Sequence, residues 1–68
     1  MSPGSIVSLQ EPITVFDDAG MIYYLDPGCH ALVIGCDQYD ITLLQHGEVL
    51  FTAASNSVSL VEAAINVS

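Results

Sequence analysis

The chain has 68 residues, no Lys or Arg and eight Asp or Glu, giving a formal charge of −8; 51% of it is hydrophobic. Phosphate binding rests on Lys and Arg, which neutralise the backbone and release its counterions. The composition therefore excludes sequence-independent nucleic-acid binding, and adhesion to anionic lipid with it.

Turn chemistry cuts the chain into short runs of β-branched and aromatic residues. Pro3-Gly4 precedes a first strand, Ile6 to Leu9. Glu11-Pro12 interrupts pairing, because proline has no N–H to give. Ile13 to Phe16 is extended, Asp17-Asp18-Ala19-Gly20 turns, and Met21 to Leu25 returns, so residues 13–25 form a hairpin. In such a turn Asp bonds nearby backbone and Gly accepts positive φ. Asp26-Pro27-Gly28 is a second turn. Cys29 to Cys36 is the most apolar run and suits a central strand, with Gly35 marking a bulge, a bend or a close backbone approach. Asp37 to Asp40 turns; Ile41 to Gln45 and Glu48 to Ala53 pair around His46-Gly47. Ser55-Asn56-Ser57 breaks the chain, Val58 to Val61 is a last strand, and Glu62 to Val67 reads as strand or coil.

Residues two apart on a strand share a face. Ala31 and Val33 oppose Leu32 and Ile34; Ile41 and Leu43 oppose Leu44; Val49 and Phe51 oppose Leu50. Both faces are apolar. A chain this short buries only about 60% of its unfolded surface, so one small core holds one face and leaves the other exposed. Exposed apolar patches mark interfaces. The expected interface residues are Tyr23, Tyr24, Leu32, Ile34, Leu44 and Leu50. Mean hydropathy of +0.56 favours the same conclusion, a homo-oligomer. The scattered acids read first as solubilising charge. Their second reading is a grip on the basic surface of a larger protein.

The order of these segments resembles a small prokaryotic or viral Src-homology-3-like barrel. The resemblance rests on Gly4 to Leu9, the hairpin Pro12 to Leu25, the segment Pro27 to Gly35, the hairpin Ile41 to Ala53 and the closing strand Val58 to Glu62. It covers nearly the whole chain as a match of layout. It implies an all-β fold, one barrel domain over residues 1–68 with five to six antiparallel strands, whose closure removes free edges. It also implies binding or structural work rather than catalysis. Nucleic-acid binders of this kind are basic, and peptide binders use tryptophan; this chain has neither feature.

Catalysis is not expected. A cysteine nucleophile needs nearby positive charge, and only His30 and His46 could give it. Paired carboxylates need a cleft. By residue type alone, Cys29, His30, Cys36 and His46 are the metal candidates, as a metal- or ligand-binding module would require. Structural zinc sites favour ligands two to four residues apart, and Cys29 and Cys36 are seven apart. No metal, cofactor or intrastrand disulfide is therefore expected. The N-terminus lacks the basic region of a signal peptide, and no apolar run approaches the ~20 residues of a membrane helix. A cytoplasmic location and a phage or bacterial accessory gene are the matching expectations. Asn66-Val67-Ser68 fits the glycosylation pattern by chance.

Overall fold

The computed structural model describes residues 3–62. It is all-β, with one short helix. The strands are β1 (Ile6–Leu9), β2 (Ile13–Phe16), β3 (Ile22–Leu25), β4 (His30–Cys36), β5 (Asp40–Gln45), β6 (Glu48–Ala53) and β7 (Leu60–Glu62). A 3-10 helix, Ala54–Ser59, joins β6 to β7. All pairings are antiparallel, in the order β3-β2-β6-β5-β4-β1-β7.

Two sequence expectations need correction. Among the described residues there are seven strands, one for each extended run of the sequence, not the five to six that the barrel resemblance implies. The sheet curls into a half-barrel but does not close, since β3 and β7 stand at its two ends. Closure would need a further ladder between those strands. One smaller difference lies near the C-terminus. Val58 and Ser59 belong to the 3-10 helix, and the last strand starts at Leu60. Residues 63–67 of the expected strand-or-coil segment, and the Asn66-Val67-Ser68 pattern, lie outside the described residues.

The turns follow the sequence. Gly20, Gly28 and Gly47 have φ of 83°, 90° and 75°, a region that side chains with a Cβ rarely adopt. Asp17 Oδ1 accepts the backbone N–H groups of Ala19 and Met21, both at 2.9 Å. Asp37 Oδ1 accepts those of Tyr39 and Asp40, both at 2.7 Å. These bonds favour the charged carboxylate and hold the Asp37 pKa below its ordinary value.

The inner face of the curl is the core. Val7, Leu9, Val15, Val33, Ile41 and Leu43 are its most buried aliphatics, joined by Ile13, Leu25, Ala31, Leu50 and Leu60. Leu50, expected at an interface, is 3% exposed and therefore a core residue. It pairs with Leu43 on the inner face, and Val49 takes the outward position. One polar device crosses this core. Thr52, fully buried, donates to the Thr14 carbonyl at 2.9 Å and accepts from Asn56 Nδ2 at 2.7 Å. It ties β6 to β2 where the register gives a single pair, Phe16 opposite Phe51.

In β4 the register slips between Val33 and Gly35, leaving Ile34 unpaired, so the irregularity expected at Gly35 sits one residue earlier. A Cβ on Gly35 would lie 3.5 Å from Thr42 Oγ1, an ordinary contact, so no close approach of the two strands demands glycine there.

Candidate functional site

Directly opposed residues of an antiparallel pair share a face. Tracing the register outward from the core therefore maps the convex face. One row runs Ile6–Leu32–Leu44–Val49 across β1, β4, β5 and β6. A second runs Gly35–Thr42–Phe51–Phe16–Ile22 across β4, β5, β6, β2 and β3. Ile6, Phe16, Ile22 and Val49 are exposed; Leu32, Leu44 and Phe51 are half-buried. Neither row contains a charged side chain. Among the described residues the acids lie in turns and at strand ends: Glu11, Asp17, Asp18, Asp26, Asp37, Asp40, Glu48 and Glu62.

Leu32 and Leu44 are direct cross-strand neighbours in the first row. Ile34 is exposed at the bulge beside it. Tyr24 lies on the outer face opposite Thr14 and is 75% exposed, whereas Tyr23 is opposite Val15 on the inner side at the open edge. The Tyr23 hydroxyl donates to Asp17 Oδ2 at 3.2 Å. That bond and the Asp17 charge favour the neutral phenol and raise its pKa above the ordinary value. Five of the six expected residues are thus at least partly accessible. Sequence reasoning did not single out Ile6, Phe16, Ile22, Val49 and Phe51. Only long-range register puts them in rows with Leu32 and Leu44.

The metal candidates do not converge. The bulge gives Cys36 inner-face parity with Ile41, and Cys29 packs against the core, so both thiols sit on the same side. They remain at opposite ends of β4, roughly 20 Å apart at 3.3 Å per residue. Both are free thiols. His30 is at the start of β4 and His46 is in the β5–β6 turn with φ 52°. Among the described residues no three His, Cys, Asp or Glu side chains are grouped to hold a metal ion. No helix there is long and apolar enough to cross a membrane.

The chain matches no protein-family model, no curated protein and no solved structure in the respective searches.

Proposed function

We propose that this protein is a small non-enzymatic interaction or structural module that assembles with copies of itself through the outer face of its sheet. One observation carries the reading: two cross-strand rows, apolar except for Thr42 and without a charge among them, and acids confined to turns and strand ends. Protein interfaces have this anatomy, a centre depleted of charge and a polar rim that stays wet. An interface of about 800 Å² per copy would take under a fifth of the 4395 Å² surface. The Src-homology-3-like layout belongs to the same proposal. It is supported by the order β1, hairpin β2–β3, β4, β5, β6, 3-10 helix, β7.

Light scattering after gel filtration tests the assembly. The expected mass at micromolar concentration is a multiple of 7.2 kDa. Because each copy carries −8, screening their mutual repulsion strengthens association, so the oligomer gains as salt rises above about 0.1 M. Leu44→Asp puts a charge in the first row and is expected to give monomer with an unchanged far-ultraviolet spectrum. A monomer at every salt and concentration would overturn the proposal.

A further inference from the structure

The tip of the β2–β3 hairpin and the β5–β6 turn together line a corner at the edge of the outer face. On one side Asp17, Asp18, Gly47, Glu48 and Val49 line a cleft of about 360 Å³. On the other, Phe16, Gly20 and Phe51 line an apolar cleft of about 440 Å³ that shares Asp17 and Asp18. The two phenyl rings stand 5.8 Å apart between centroids, tilted by 31°. Asp17 is occupied by its turn and by Tyr23. Asp18 and Glu48 accept no hydrogen bond from any described residue, and both are exposed.

We infer that this corner docks a Lys- or Arg-bearing segment of another protein, with an apolar side chain next to the cation. Charge decides the occupant. Three carboxylates gather at the corner, and the chain has no Lys or Arg to answer them. A second copy would bring its own eight carboxylates and no Lys or Arg. Asp18 lines both clefts, so a cation held between Asp18 and Glu48 leaves its apolar neighbour beside the Phe16–Phe51 cleft. This partner is distinct from the second copy proposed above and competes with it at the corner, because Val49 ends the row through Leu32 and Leu44 and Phe16 and Phe51 belong to the second row.

The test titrates the full chain with a short peptide carrying two Arg or Lys around a central Leu, and follows backbone amide shifts. The Glu-for-Lys/Arg peptide is the control. Saturable shifts confined to residues 16–20 and 47–51 are expected. Asp18→Asn with Glu48→Gln should weaken binding at least about fivefold. Asp26→Asn with Asp40→Asn removes the same charge elsewhere and should change it less than about twofold. Phe16→Ala should also weaken it. Equal loss in the two charge variants, full affinity in Phe16→Ala, shifts spread over every acid, or no saturation would each overturn the inference. Leu44→Asp leaves this binding in place, so failure of self-assembly and failure of this site are separable.

Discussion

Replacing Thr52 by Val tests whether one buried hydroxyl holds the two halves of the sheet together. Valine keeps the shape and removes both bonds, to the Thr14 carbonyl and from Asn56. Each buried polar group left without a partner costs about 1–3 kcal/mol. Both bonds are only partly buried, so water relieves some of that cost. The extra methyl returns up to ~0.8 kcal/mol. The net expectation is a loss of about 1–2 kcal/mol, against the ~3–5 kcal/mol that a core of this size supplies. For a domain this small that lowers Tm by roughly 5–15 °C. Thermal unfolding at fixed protein concentration measures it. Thr52→Ser retains the hydroxyl and loses only a methyl, at about 1 kcal/mol. Asn56→Ala combined with Thr52→Val should cost less than the sum of the two single changes, because they share a partner. A Thr52→Val protein as stable as the parent would refute the reasoning.

Two further outcomes follow from the core and from the turns. Leu43→Ala, at a fully buried position in the middle of the sheet, should cost about 2–5 kcal/mol and leave most molecules unfolded at 37 °C by circular dichroism; a well-folded variant would show that the inner face is not the core. Asp37 has a folded pKa below its unfolded value, so its ionised form stabilises the fold at pH values above the unfolded pKa of about 3.9, and that contribution is lost as pH falls through the lower folded value. Asp37→Asn should therefore unfold more readily than the parent in urea at pH 7, with the gap closing on acidification; a gap that does not change with pH would contradict the bonding to Tyr39 and Asp40.

The elements were legible in the sequence because their punctuation is chemical. Asp17 to Gly20, Asp26-Pro27-Gly28 and His46-Gly47 mark turns whose glycines do adopt positive φ. Orientation was less legible. Leu32 and Val33 are equally apolar, so composition cannot say which points inward; the pairing of Val33 with Leu43 does. For the same reason Leu50 reads as a surface residue until its pairing with Leu43 is known. The meeting of β2 with β6 joins residues 35 positions apart and has no local signature, so the Phe16–Phe51 contact and the open end of the sheet were beyond reach. The run Ala54–Ser59 has enough Ser and Asn to break a strand, but nothing in it distinguishes a 3-10 helix from a loop.

The seam between hairpin and body is narrow. β5 and β6 are zipped over six residue pairs, while β2 meets β6 at one, reinforced by Thr52. Parting there would uncover Ile13 and Val15 yet leave the ladder from β6 to β7 whole. Residues 13–25 are therefore expected to detach first, with their amides exchanging ahead of those in β5, as a flap loosens at its hinge before the fabric behind it.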